Sequence, residues 1–258
     1  MKAGIGRIRV VTYNIHKCRG MDRRIRPQRI VQVLREIDAD VIALQEVVSA
    51  EGGGPEEDQA GYIAGALGLR SCMGENRRLN GGAYGNLLLS RYPLRDAINY
   101  DISTNGRERR GCLRVDLDIA GAMLLHVFNV HLGTAYLERR RQARMLLTST
   151  ILNNGGLRGA RVVLGDFNEW LRGLATRLLS AEFDSVDIQR NLGRSRTYPG
   201  LLPLLHLDHI YFDPILTVES LSLHRSRTAL IASDHLPLVV DFGRSSRTDC
   251  GDTEKLRA

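Results

Sequence analysis

Two stretches of the chain follow one plan, and that plan limits the fold more than any other feature. In the first, the β-branched run "IRVVTYNIH" (8–16) reads as a strand. "RPQRIVQVLREIDAD" follows as a helix, with Pro27 suited to a first turn and Ile30, Leu34 and Ile37 recurring at helical spacing. "DVIALQEV" (40–47) is then a short buried strand. In the second, "AMLLHVFNVHL" (122–132) reads as a strand, "YLERRRQARMLLTSTIL" (136–152) as an amphipathic helix and "RVVLGDFN" as a buried strand. "NIH" closes one unit's first strand and "NVH" the other's; "QE" closes one second strand and "GD" the other's. The separations, 32 residues from Asn14 to Glu46 and 37 from Asn129 to Asp166, suit a strand–helix–strand unit. Two similar halves are expected, their sheets face to face and their helices outside. Asn14, Glu46, His131, Asp166 and Asn168 then converge at one rim.

The remaining elements complete this plan. "YIAGALGL" is a short helix, "GNLLLSRYPL" (85–94) a strand ending at a proline turn, and "GCLRVDLDI" (111–119) a half-buried strand. A helix is expected near 169–180, with strands at "LDHIYF" (207–212) and "LPLVVDF" (236–242). The segment from Arg244 is polar without apolar period, so the expected organisation is one domain over 1–243 and a disordered tail over 244–258.

At 258 residues and 43% apolar content, the chain can bury a sizeable core. No run approaches the ~20 apolar residues that span a bilayer, and "MKAGIGRIRV" lacks the apolar stretch of a secretory signal. A soluble, cytoplasmic protein is expected. Four scattered cysteines without a C-x-x-C pair fit reduced thiols better than disulfides or structural zinc, and Cys112 reads as a small core residue. The net charge of +7 favours anionic partners. Lysine occurs only at 2, 17 and 255, however, so most of this charge is arginine, a skew that follows genome base composition as readily as function. Aromatic content of 5% argues against a base-stacking platform.

Polar residues at the ends of apolar strands carry the chemistry. In "GDFN", strand alternation points Asp166 and Asn168 one way and Phe167 the other, offering a carboxylate and an amide to a water or a phosphate oxygen. Asn168 is equally placed to cap a helix beginning near Glu169. In "SDHLP" (233–237), Asp234 and His235 stand at another strand mouth, where a carboxylate orients and charges an imidazole; a turn with local Ser-Asp hydrogen bonds is the alternative. Asp208, embedded in "HLDHIYF", needs a charge or metal partner, which a nearby His235 supplies; His206 and His209 read as structural. Glu46, at the end of "DVIALQ", is the best single candidate for a Mg²⁺ ligand, since Mg²⁺ takes one or two carboxylates and keeps several waters. Arg110, in "ERRGCLRV", is a candidate planar fork for a substrate phosphate. The arginines of "LERRRQARMLL" read as a solvated helix face, with contact to a nucleic-acid backbone or an acidic lipid surface as the alternative.

"TYNIH", "LQE", "NVHLG", "GDFN" and "SDHLP", in this order and at these separations, resemble the endonuclease/exonuclease/phosphatase superfamily, which includes pancreatic-type DNases, apurinic endonucleases, sphingomyelinases and inositol-phosphate phosphatases. "GNLLLSRYPL" and "LDHIYF" extend the resemblance over residues 8–242. It implies an α/β (α+β) four-layer sandwich of two mixed β-sheets with outer helices, and a Mg²⁺-dependent phosphoesterase, Mn²⁺ being the alternative ion. By the same resemblance Glu46 is the principal metal ligand, with Asn14 nearby and Asp234 beside the ion or its water. Asp166 and Asn168 position the nucleophilic water and the scissile phosphate. His235, oriented by Asp208, is general base or phosphate contact, and His131 is a second phosphate contact. Whether the imidazole or the "GDFN" carboxylate takes the water's proton stays open. Some relatives carry a glutamate that orients the histidine matching His131; the matching region here, "LNGGAYGN" (79–86), has no acid.

The basic balance makes nucleic acid the first-choice phosphodiester substrate. Low aromatic content and the apolar "GLLPLL" (200–205) point instead to a phospholipid or a small phosphorylated metabolite. A non-catalytic binding module fits less well, because every acid and histidine position of the pattern is filled.

Overall fold

The strand β1 (Ile8–Asn14) sends alternate side chains into two different cores. Val10 packs between two sheets, whereas Val11 and Tyr13 pack outward under helices. The computed structural model describes residues 7–119, 123–169, 173–186, 197–198 and 206–244. Beyond β1 the strands are β2 (Val41–Ser49), β3 (Arg70–Leu79), β4 (Gly82–Ser90), β5 (Leu94–Asp101), β6 (Gly111–Ile119), β7 (Met123–His131), β8 (Ala160–Asp166), β9 (Asp184–Ser185), β10 (Asp208–Phe212), β11 (Leu216–Leu223) and β12 (Leu238–Arg244). The helices are α1 (Pro27–Ile37), α2 (Gln59–Leu67), α3 (Tyr136–Leu146), α4 (Leu174–Leu179) and α5 (Ala229–Ala232).

One sheet runs β11-β12-β1-β2-β4-β3 and the other β5-β6-β7-β8-β10-β9. Each has a single parallel pair, β1 with β2 and β7 with β8, joined across α1 and α3 respectively; every other pairing is antiparallel. The two sheets thus follow the same order of pairings, which is the repeated plan of the sequence realised in three dimensions. Val10, Ala43, Leu88, Val115, Val127, Leu164, Ile210 and Val240 fill the space between them. Ile30, Leu34 and Ile63 cover the outer face of the first sheet, and Ala143, Leu146 and Leu179 that of the second. This is the expected four-layer α/β sandwich.

Several boundaries differ from expectation. β1 stops at Asn14, and the chain turns through His16, Lys17 and Cys18, all with positive φ. α3 ends at Leu146 rather than near 152. There the Thr148 hydroxyl donates to the Met145 carbonyl, a local bond that competes with helix continuation. Strands β3, β5, β9 and β11 were not expected, and β3, β5, β9 and β11 are the four sheet edges. Arg244 closes β12 instead of opening a tail; residues 245–258, like "GLLPLL" and the start of the expected 169–180 helix, fall outside the described residues. Cys18, Cys72 and Cys112 are free thiols, and Cys112 is buried in the outer core as anticipated. No helix among the described residues is long and apolar enough to cross a membrane.

A polar clamp crosses the apolar layer directly beneath the rim. Asn129 of β7 donates to the carbonyls of Leu44 (2.9 Å) and Leu87 (3.0 Å) on the opposite sheet. Its own Oδ1 accepts from Gln45 at 2.8 Å, and its backbone carbonyl accepts from Asn86 at 3.0 Å. Asn129 is fully buried, so each of these groups lacks water as a substitute. The Asn129→Ala variant keeps the backbone bond from Asn86 but removes the amide donors to the Leu44 and Leu87 carbonyls and one acceptor of Gln45, and a loss of about 2–4 kcal/mol in unfolding free energy is expected from chemical denaturation.

Candidate active site

Each carboxylate of the rim is delivered by a local break in its strand. In β2, Leu44 pairs with Leu87 but Val47 pairs with Gly85, so one extra residue is accommodated and Glu46 adopts φ +58°. A bulge of this kind re-aims a side chain. It leaves Gln45 pointing between the sheets and turns Glu46 toward the rim. At the end of β8, Asp166 Oδ1 accepts from the Asn168 backbone N–H at 2.8 Å, and Asn168 takes φ +49°. The two side chains therefore meet through an Asx turn, not through strand alternation, while Phe167 goes to the outer core. Among the described residues Asn168 caps no helix: α4 begins at Leu174, and the Asn168 amide donates to the Leu132 carbonyl at 2.9 Å.

Asp166 is the hub. Asn14 Nδ2 donates to its Oδ2 at 2.9 Å, and the Nε2 atoms of His131 and His235 lie 3.7 and 3.6 Å from the same oxygen. Asn14 Nδ2 also faces Glu46 Oε1 at 3.4 Å, so one amide links the carboxylates of the two sheets. His235 Nδ1 is 3.0 Å from Asp208 Oδ2, the pairing that the buried acid required. Ser233 donates to the Asn14 carbonyl at 2.8 Å and accepts from the His235 backbone, fixing the "SDHLP" turn against β1. Asp234 stands apart from the hub, its Oδ1 3.5 Å from His16 Nδ1. Arg110 is only 6% exposed; it donates to His131 Nδ1 at 3.1 Å and pairs with Glu108 at 2.9 Å. His209 packs edge-on against Phe167, a structural role.

The two buried imidazoles are pushed in opposite directions. Burial and the Arg110 charge drive His131 down to about 4. Burial also opposes charge on His235, but Asp208 and Asp166 outweigh it and raise that imidazole to about 10. Burial pushes the Asp166 carboxyl up against the pull of both imidazoles. Burial acts the same way on Glu46, yet His131 and Lys17 overcome it and hold this carboxyl down to about 2.

Glu46 is consequently an ionised hard-oxygen donor that still reaches solvent. No three or more His, Cys, Asp or Glu side chains among the described residues are grouped to hold an ion. The Glu46 carboxylate is the kind of donor that a hard divalent cation takes. The Asn14 oxygen already accepts from the His16 N–H, so this amide links the carboxylates and brings an oxygen only as a secondary donor.

Sequence reasoning missed Lys17 and Tyr198. Lys17 Nζ lies 2.6 Å from Glu46 Oε2, and the Tyr198 ring packs 5.0 Å from that of His235. Lys17 had a signal: it is the one lysine between residues 3 and 254, just after "NIH".

The sequence profile of the Endonuclease/Exonuclease/phosphatase family matches residues 11–235, from within β1 to His235. The chain belongs to this family. Its members are phosphoric ester hydrolases. The chain is 32% identical over 245 residues to the uncharacterized protein YbhP of Escherichia coli (strain K12), covering 91% of this chain and 95% of that one. Its fold is similar to that of D. rerio TDP2 complexed with a single-strand DNA product, with TM-score 0.70, 17% identity, and 92% and 99% of the respective chains covered. It is also similar to that of the Bacteroides thetaiotaomicron mannosyl-6-phosphatase Bt3783, with TM-score 0.72, 16% identity, and 91% and 99% covered.

Proposed function

We propose that the protein is a Mg²⁺-dependent phosphodiesterase that directs a water at phosphorus, with nucleic acid as its first substrate class. The observation that carries this reading is the Asp166 carboxylate between two imidazoles, tied through one amide to the ionised Glu46. Glu46 would hold the ion, with Asn14 and Asp234 beside it, and a bound Mg²⁺ supplies charge neutralisation for the phosphate oxygens. Asp166 and Asn168 orient the attacking water and the phosphate. Asp166 and His235 act as one proton-accepting unit, His235 being oriented by Asp208. His131 and Asn168 donate to charge that builds on the non-bridging oxygens. Exposed Arg19, Arg23, Arg24 and Arg26 follow β1 directly, and exposed Arg140, Arg141 and Arg144 line α3; they supply phosphate-backbone contacts.

The test is a panel of DNA, bis(p-nitrophenyl) phosphate, phosphomonoesters and phospholipids, each with Mg²⁺, with Mn²⁺ and with chelator. Diester hydrolysis is expected with the metals, loss of it with EDTA, and recovery on adding Mg²⁺ back. DNA binding is expected to fall steeply with salt; a flat response removes nucleic acid from the reading. The second reading, a phospholipid substrate, is favoured by exposed Met21, Ile25 and Ile231, where the Met21 N–H donates to the Ile231 carbonyl at 3.1 Å. Headgroup release without plasmid nicking supports it over the first.

A further inference from the structure

We propose that Arg110 is a positioning residue that locks His131 as the neutral tautomer protonated on Nε2, making His131 a fixed hydrogen-bond donor toward the substrate phosphate and not a proton-transfer group. The donor role toward phosphate rests on the function proposed above; the tautomer does not.

The argument begins with what a guanidinium is able to do. All its nitrogens donate and none accepts. Arg110 reaches His131 Nδ1 at 3.1 Å, so that nitrogen presents its lone pair. A neutral imidazole with a bare Nδ1 carries its proton on Nε2. The Nε2 neighbours divide over this placement. Asp166 Oδ2, an acceptor, lies 3.7 Å away. Asn168 Nδ2, a donor held by the Leu132 carbonyl at 2.9 Å, lies 3.2 Å away and would suit a bare Nε2, so two donors compete for the ring's one lone pair, and the charged guanidinium at 3.1 Å from Nδ1 takes it. The His131 Nε2–H and the Asn168 amide therefore form a pair of donors beside one carboxylate, an arrangement that waits for an anionic oxygen.

Arg110 is itself held in place. Its other terminal nitrogen pairs with Glu108 at 2.9 Å, its backbone N–H donates to the Ser103 hydroxyl at 3.0 Å, and its carbonyl accepts from the Ile102 N–H at 3.0 Å. The fork expected to grip substrate is instead buried and committed to an imidazole. Charged and titratable groups face His131 from four elements: Arg110 ahead of β6, Glu46 on β2, Asp166 at the end of β8 and His235 ahead of β12. A protonated His131 would place its Nδ1–H against the Arg110 N–H, so the direct contact itself disfavours the cation. The two histidines divide the labour. Asp208 keeps a carboxylate on His235 Nδ1 and prepares that ring to carry a proton, whereas Arg110 keeps a cation on His131 Nδ1 and prevents it.

Full-length protein labelled with ¹⁵N-histidine reads the tautomer directly through two-bond ¹H–¹⁵N correlations at neutral pH. The expected pattern for His131 is an imine-type Nδ1 and a protonated Nε2, and the Arg110→Met variant is expected to lose it to a tautomer mixture or an imidazolium. An Nδ1–H or an imidazolium at His131 in the unsubstituted protein overturns the proposal. So does Arg110→Met with the His131 pattern unchanged. The His126 signals, from a buried ring paired with Asp116 by a 2.7 Å contact on the outer face of the second sheet, report whether the variant is folded. If it is not, the pattern in the unsubstituted protein decides. The readout involves no hydrolysis, so an inactive protein with this tautomer would overturn the phosphodiesterase reading and leave the assignment standing.

Discussion

The Asp166→Asn variant is expected to lose phosphodiester hydrolysis by about 10³-fold or more in kcat/KM while remaining folded. The substitution keeps the shape of the side chain and gives up one hydrogen bond, the one that Asn14 donates to Oδ2. An asparagine oxygen can still accept from the Asn168 backbone, so the Asx turn survives. What disappears is the negative charge that Asn14, His131 and His235 all face. Without it the water loses its proton-accepting unit. His235 also loses one of the three carboxylates that raise it, so its ionisation midpoint falls from about 10 toward the ordinary histidine range. Stability should change little, because removing a buried carboxylate also removes its desolvation cost. Steady-state kinetics on bis(p-nitrophenyl) phosphate, with thermal denaturation alongside, tests both halves. Activity within tenfold of the unsubstituted protein would mean that Asp166 is not the hub of the chemistry.

That hub was legible in the sequence because it breaks a pattern. A carboxylate ending an apolar run has to be paired or functional, and Glu46, Asp166 and Asp208 all stand out on that ground. The repeated "NIH…QE" and "NVH…GD" units similarly exposed the two-sheet plan, since a buried parallel pair leaves an unbroken apolar run. Edge strands leave no such trace. β5 is exposed along nearly all its length and β3 carries Arg70, Glu75, Arg77 and Arg78, so neither shows a buried stripe to detect. The bulge that turns Glu46 was equally hidden, because it is a mismatch between two strands and not a property of either. The Arg110–His131 contact joins residues 21 apart through the geometry of the β6–β7 hairpin, and only the folded register brings them together.

The largest stability effect is expected at Gly165, a position that also sets the site. Gly165 sits in β8 with φ +146°, a conformation that L side chains rarely adopt. A Cβ there would lie 1.9 Å from the Val130 carbonyl oxygen, 2.8 Å from its carbon and 3.0 Å from the Val130 nitrogen. All three are backbone atoms of the paired strand β7, so no side chain can swing away to make room. Gly165→Ala must therefore part the parallel β7–β8 pair or rotate its own backbone. The expected cost is about 3 kcal/mol or more, read from the denaturation midpoint. The consequence for chemistry follows from register. Val130 pairs with Gly165, and the next pair along is His131 with Asp166. Any separation of the strands at the glycine therefore moves the imidazole and the carboxylate apart, and a displacement of about 1 Å is enough to lower turnover by about 10²-fold. Gly65→Ala in α2 supplies the contrast. Its Cβ meets nothing within 4 Å, and a modest gain of up to about 1 kcal/mol is expected with activity unchanged. Equal effects at the two glycines would show that the close approach at Gly165 is not what holds His131 and Asp166 in register.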